Sequence, residues 1–134
     1  MKVHKFGGIV EFERGSIQPG MDRPSFLASS LGQSAEVVMQ NEPHVTYRFR
    51  PENGIAAAAH FDGAKLRMIS WQLELPPQKE AVWSEEHELE RKRVHDVWLR
   101  QELGEPPYRF PWGQLESNYD SKGCASAIIV NYAE

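Results

Sequence analysis

The chain contains a single cysteine, Cys124, among its 134 residues. One cysteine forms no intramolecular disulfide and cannot close a cysteine-based zinc site. The histidines offer no metal site either, since His87 and His95 are eight positions apart, or about 12 Å along a helix. We therefore expect no metal and no other cofactor.

Long apolar runs and a marked excess of one charge are also missing. The longest apolar run, 55–59, is far shorter than the roughly 20 residues that span a membrane, and residues 1–5 lack the apolar stretch of a signal peptide. The 15 Lys and Arg residues are scattered among 19 Asp and Glu residues, without the basic cluster that nucleic acid requires. The expectation is a cytoplasmic protein that binds neither membranes nor nucleic acid.

Motifs for catalysis are not found. The sequence has no G-x-S-x-G elbow, and Gly7-Gly8 lacks the further glycines and the lysine of a phosphate-binding loop. Cys124, beside a turn, is interpreted as a small strand residue rather than as a nucleophile. No catalytic residue is predicted, and a non-enzymatic role is favoured.

What the chain does contain is enough apolar material for a core. Hydrophobic residues make up 40% of the sequence and include six Phe, four Tyr and four Trp. A chain of this length buries roughly two-thirds of its unfolded surface when it folds. With no repeat and no long linker, residues 1–134 are predicted to form a single domain.

Alternating apolar residues and turn signals predict an antiparallel sheet. Residues 44–50 alternate, and the strands at 55–61 and 64–75 flank Asp62-Gly63, a two-residue hairpin signal. A short strand or strand pair is expected within 6–12, and a last hairpin at 114–119 and 124–132. The prediction is a sheet of about five or six strands.

Capping residues predict two helices. Asp22 begins a short helix at about 24–31, and Ser84 begins a long one at about 84–103 that Gly104 ends. His95 is expected to be a solvated helix residue, and Glu88 to pair with Lys92. The inner face of the long helix is predicted to carry Trp83, His87, Val94, Val97 and Trp98. The fold class is therefore α+β, with the long helix packed across the sheet in two layers.

Acidic and aromatic residues suggest a surface for a protein partner. The acids at the start of the long helix form either a solvated face or a docking patch for a basic partner. Tryptophans beside proline-containing loops either hold those loops down or anchor a partner. The candidate partner-binding residues are Trp83, Glu86, Glu90, Trp112, Tyr119 and Asp120.

Two other functions stay open. A small-molecule-binding domain would use a cavity between helix and sheet, lined by Trp71, His87 and Trp98. A homodimeric structural or assembly protein would associate through an edge strand or the long helix. The sequence does not determine the oligomeric state.

The residues 112–123 and 126–132, with 20–30 and 95–99, carry a family resemblance. They resemble the corresponding parts of small bacterial proteins, some of them of the immunity-protein kind encoded beside toxin or effector genes. The resemblance implies a bacterial, cytoplasmic protein that binds tightly to a protein partner, such as a toxin. It brings no catalytic residues with it.

Overall fold

The structure, a computed structural model, describes residues 1–75, 84–123 and 125–133. Within these residues the chain forms ten strands and two helices. In chain order they are β1 (Lys2–Val3), β2 (Val10–Phe12), β3 (Gly15–Ile17), α1 (Arg23–Ala28), β4 (Glu36–Asn41), β5 (His44–Glu52), β6 (Ile55–Asp62), β7 (Lys65–Leu73), α2 (Glu85–Leu103), β8 (Tyr108–Phe110), β9 (Gly113–Asp120) and β10 (Ala125–Tyr132).

The strands form two antiparallel sheets. The main sheet has seven strands in the order β4-β5-β6-β7-β10-β9-β8, and β1-β2-β3 form a smaller one. The α+β class and the antiparallel pairing are confirmed, but the predicted five or six strands are too few. The edge strand β4 was missed because all six of its residues are exposed, and β8 was missed because it has only three residues.

Local signals placed the hairpins and the long helix correctly. Asp62 pairs with Lys65 across a turn in which Gly63 has a φ of +61°. The Ser84 hydroxyl accepts a hydrogen bond from the backbone N–H of His87, and Gly104 ends α2 with a φ of +88°. These features depend on neighbouring residues, which is why the sequence shows them.

The short helix α1 ends earlier than predicted. Asp22 caps it as expected, accepting a hydrogen bond from the N–H of Ser25, but the helix stops at Ala28 instead of about residue 31. Ser29 takes an extended conformation, and its hydroxyl donates to the carbonyl of Phe26. A serine hydroxyl that bonds to a nearby carbonyl competes with continued helix formation.

The core lies on one face of the main sheet. Phe26 of α1 packs against Phe49 and Phe61, and Phe12 of the small sheet meets Trp71 edge-on. Trp98 of α2 also meets Trp71, and the paired registers place these sheet residues on the same face. Both helices and the small sheet therefore cover this face, which we call the covered face.

Helix α2 turns a different side to the sheet from the one predicted. Its buried residues are Glu88, His95, Leu99 and Leu103. Val97, which was predicted to face inward, is 51% exposed. In the described part of the chain, no helix is both long and apolar enough to cross a membrane.

Candidate functional site

Glu88 fixes the start of α2 to the sheet. Its side chain is buried, and its carboxylate accepts a hydrogen bond from the backbone N–H of Ser126 at 3.0 Å. The same carboxylate pairs with Arg91, one turn further along. The predicted pair of Glu88 with Lys92 is wrong, because Lys92 pairs with Asp96 at 3.0 Å.

This contact brings the start of α2 beside the turn between β9 and β10. The Ser126 hydroxyl donates to the Glu88 carbonyl at 2.5 Å, and Ser126 pairs with Tyr119 in the adjacent strand. Tyr119 is half-buried, and Asp120, which follows it, is exposed. Glu86 is also exposed and lies within one helical turn of Glu88. The contact thus places the first turn of α2, which carries Glu86, beside the strand end that carries Tyr119 and Asp120.

We call this region the acidic end, defined by Glu85, Glu86, Glu90 and Asp120, with Tyr119. All four acids are exposed. Glu90 pairs with Arg93 on the surface of the helix, and the Asp120 carboxylate accepts the N–H of Lys122. Among the described residues, the acidic end therefore carries four acids beside two bases and keeps a negative balance.

Of the two predicted loop tryptophans, Trp83 lies outside the described residues, and Trp112 lies away from the acidic end. Trp112 stacks on Phe110 with ring centroids 5.0 Å apart, and its indole N–H donates to the carbonyl of Lys5 at 2.8 Å. A Cβ on Gly8 would approach the Trp112 ring to 2.4 Å. Trp112 holds its loop down just before β9 begins, about 26 Å from Asp120.

The predicted pocket residues are only partly brought together. Trp71 is buried, and Trp98 meets it edge-on with ring centroids 6.2 Å apart. His87 is half-buried in the first turn of α2, about 16 Å along the helix axis from Trp98. These three side chains do not form one pocket.

A cavity between helix and sheet is present at another place. It measures about 390 Å³ and lies between α2, the segment that follows it and the β8–β9 hairpin. Its charged lining comprises Lys92, Asp96, Arg100, Arg109 and Glu116. Burial raises the pKa of Asp96, but the nearby Ser117 hydroxyl, the hydrogen bonds from Lys92 and the charges of Lys92 and Arg100 outweigh burial and lower this pKa. The cavity therefore holds an ionised carboxylate among three basic side chains.

His95 is a buried polar residue that sequence reasoning missed. The predicted solvated side chain is fully buried, and its Nε2 accepts a hydrogen bond from the N–H of Leu73 at 3.1 Å. Burial and the nearby Arg91 charge lower the pKa of His95 to about 4. The sequence does contain an indication that His95 is buried. Glu88, His95 and Leu99 are spaced by seven and four positions, which places His95 on one helix face with a leucine.

The opposite face of the main sheet presents small and polar side chains. We call it the open face, defined by two rows of directly paired residues on the five strands from β5 to β9. One row is Arg48, Ala58, Ser70, Ile129 and Glu116; the other is Thr46, His60, Met68, Asn131 and Gln114. Thr46 and His60 are hydrogen-bonded at 2.8 Å, and burial lowers the pKa of His60.

In the described part of the chain, no group of three or more histidine, cysteine, aspartate or glutamate residues is arranged to hold a metal. Comparisons of the chain with protein-family models, with curated proteins and with solved structures found no match.

Proposed function

We propose that this chain is a non-enzymatic protein-binding module, and specifically an immunity-type inhibitor that blocks a bacterial toxin with its acidic end. The observation that carries the proposal is the docking of Glu88 onto Ser126, which holds the acidic first turn of α2 beside the β9–β10 turn. A surface of one sign on a rigid support selects a partner with the opposite sign. The expected partner surface is therefore basic.

The buried contacts make this surface pre-organised. Arg91 donates to the carbonyl of Leu73 at 3.1 Å and pairs with Glu88, so the helix is tied to both β7 and β10. A surface that is ordered before binding loses less conformational entropy when the partner arrives. Exposed acids on such a surface also speed up the encounter with a basic partner, and this effect weakens as salt is added.

Charge reversal at the acidic end tests this proposal. The double variant Glu86→Lys/Glu90→Lys is compared with the wild type as bait in lysate of the source cell, at low and high salt. The matched control is Glu11→Lys/Glu105→Lys, which changes the net charge equally at two exposed acids away from the acidic end. We expect a near-stoichiometric partner with the wild type and the control, released by salt, and at least about tenfold less of it with the double variant.

Equal recovery of the same partner by the acidic-end variant and the control would overturn the proposal. An empty capture with the wild type would overturn it as well. Circular dichroism of each variant establishes that the charge changes leave the fold intact.

The cavity of about 390 Å³ supports a second candidate function, the binding of a small organic anion. Its volume lies within the range of ligand sites, and its three basic side chains outnumber its two acids.

We expect succinate or inorganic phosphate to shift the amide NMR signals of the residues that line the cavity. Arg109→Ala should abolish these shifts, whereas Arg93→Ala on the helix surface should preserve them. An unchanged spectrum of the wild type at millimolar ligand would exclude this function.

A further inference from the structure

The open face is a large surface that the helices and the small sheet, as far as the structure describes them, leave uncovered. Helices α1 and α2 and the small sheet pack against the covered face. The central strands β6, β7 and β10 present the small residues Ala58, Ser70 and Ala127 on this side of the sheet, between larger ones such as Met68 and Ile129. Small side chains allow a second layer to approach closely.

The charges on the open face are arranged with opposite signs at its two sides. Arg48 on β5 and Glu116 on β9, a residue that also borders the cavity, lie at the two ends of the same row, with Ala58, Ser70 and Ile129 between them. Arg48 is exposed, and within the described part of the chain it forms a surface ion pair with Glu36 at 3.2 Å. Such an exposed ion pair contributes little to stability, so Arg48 can exchange Glu36 for another acidic partner.

This arrangement makes the face complementary to itself. A two-fold axis that runs along β7, in the plane between two such faces, places β5 of one copy over β9 of the other. Arg48 of each copy then lies over Glu116 of its partner, at two equivalent contacts. An axis across the strands would instead place like charges over each other. We propose that two copies of this chain pair through their open faces about the axis along β7.

The remaining residues of the two rows fit the same axis. Ala58 falls over Ile129, so a small side chain meets a larger one, as interdigitated sheets require. His60 falls over Asn131, which pairs two polar groups, and Met68 falls near its own symmetry mate. The two-fold rotation about β7 therefore matches charge, side-chain size and polarity across both rows.

The face is large enough for a stable contact. Together with the residues that flank the two rows, five strands about 4.8 Å apart, each about eight residues long, give a footprint of roughly 600 Å² per copy. The corresponding total of roughly 1,200 Å² reaches the lower limit of specific protein–protein interfaces. The strands of two sheets packed face to face cross at about 30°. A two-fold axis inclined by about 15° to β7 produces this crossing angle between the two copies.

The edge strand β4 offers a competing mode of association, which the structure disfavours. Val37, Val38 and Met39 are about half exposed there. However, the pairing register of β4 shifts between Val37 and Met39, so Val38 forms a bulge. Bulges twist an edge away from a regular neighbour and discourage edge-to-edge pairing. Met39 pairs with Thr46 and so extends the open face instead.

A charge-exchange experiment tests the proposed pair directly. Sedimentation equilibrium is measured for the wild type, for Arg48→Glu, for Glu116→Arg, and for an equimolar mixture of these two variants. Each single variant places like charges at both contacts, and we expect its dimerisation to be at least about 100-fold weaker than that of the wild type. The mixture restores opposite charges at both contacts, so it should regain near wild-type dimerisation.

The matched control is Arg93→Glu, an exposed arginine of α2 that lies outside the open face. It should dimerise as the wild type does. The proposal is overturned if the wild type is a monomer at high concentration, or if its dimer survives both single reversals. If Val38→Lys abolishes the dimer and Arg48→Glu does not, the contact lies at the β4 edge. This result would also overturn the open-face proposal. The acidic end is a separate surface, so failure here leaves the capture experiment unaffected.

Discussion

At the scale of single residues, His95 shows how burial determines the chemistry of a group. Its Nε2 accepts the N–H of Leu73, and in the described structure its Nδ1 is buried with no hydrogen-bond partner. Burial favours the neutral form, and the Arg91 charge adds to this effect, so the pKa falls to about 4. His95 therefore stabilises the fold as a neutral acceptor.

This environment predicts a loss of stability in acid. An unfolded His95 binds its proton near pH 6.5, whereas the folded protein resists protonation until about pH 4. The unfolded state thus binds more protons between these values, and the free energy of unfolding falls as the pH falls through this window. The expected loss is at most about 3 kcal/mol.

Urea denaturation between pH 7 and pH 4 measures this loss. His95→Gln should be less stable than the wild type at pH 7, but its stability should fall less steeply with acid. His60, whose pKa is also lowered by burial, is present in both proteins, so its contribution cancels in the comparison. The exposed His44→Gln variant serves as control. Parallel pH profiles for the wild type and His95→Gln would contradict the prediction.

At the scale of elements, polar contacts decide how α2 meets the sheet. Glu88 and His95 occupy the buried stripe together with Leu99 and Leu103. Apolar periodicity alone assigned the inner face to the side that carries Val97, because a glutamate and a histidine do not count as core residues in such a pattern. The contacts that bury them, with Ser126 and the end of β7, are distant in sequence.

Two glutamate–arginine pairs on α2 allow a matched test of this docking. Glu88–Arg91 is buried and Glu90–Arg93 is exposed, and both have the same spacing of three residues. Glu88→Ala leaves Arg91 and the N–H of Ser126 without their acceptor, and it should lower the free energy of unfolding by about 3–5 kcal/mol. Glu90→Ala should lower it by less than about 0.5 kcal/mol.

Chemical denaturation of both variants checks this prediction. Ser126→Ala, which removes the hydroxyl that donates to the Glu88 carbonyl, should cost about 1 kcal/mol. Equal effects of Glu88→Ala and Glu90→Ala would show that the buried contacts do not hold the helix.

At the scale of the whole molecule, the one-sided cover of the main sheet separates the two proposed surfaces. The acidic end comprises the start of α2 and the β9–β10 turn, whereas the open face lies across the strands from β5 to β9. Reversing Glu86 and Glu90 should therefore change partner capture without changing dimerisation. Reversing the charge of Arg48 should weaken dimerisation without changing partner capture. A partner and a second copy can then bind at the same time.

The sequence by itself determined the local features of this protein. The hairpin at Asp62-Gly63, the caps at Asp22 and Ser84 and the end of α2 at Gly104 all follow from interactions between near neighbours. Alternation also identified the inward residues of the long strands, since successive side chains point to opposite faces.

Only the tertiary structure decided which of the two candidate faces of α2 is buried, where the cavity lies and which acids remain exposed. Glu88 and Glu90 are alike in sequence, but Ser126, 38 positions away, draws only Glu88 into the interior. The pairing of five strands likewise places Arg48 and Glu116 in one row. Contacts between residues so far apart depend on the packing of whole elements, and no local pattern encodes them.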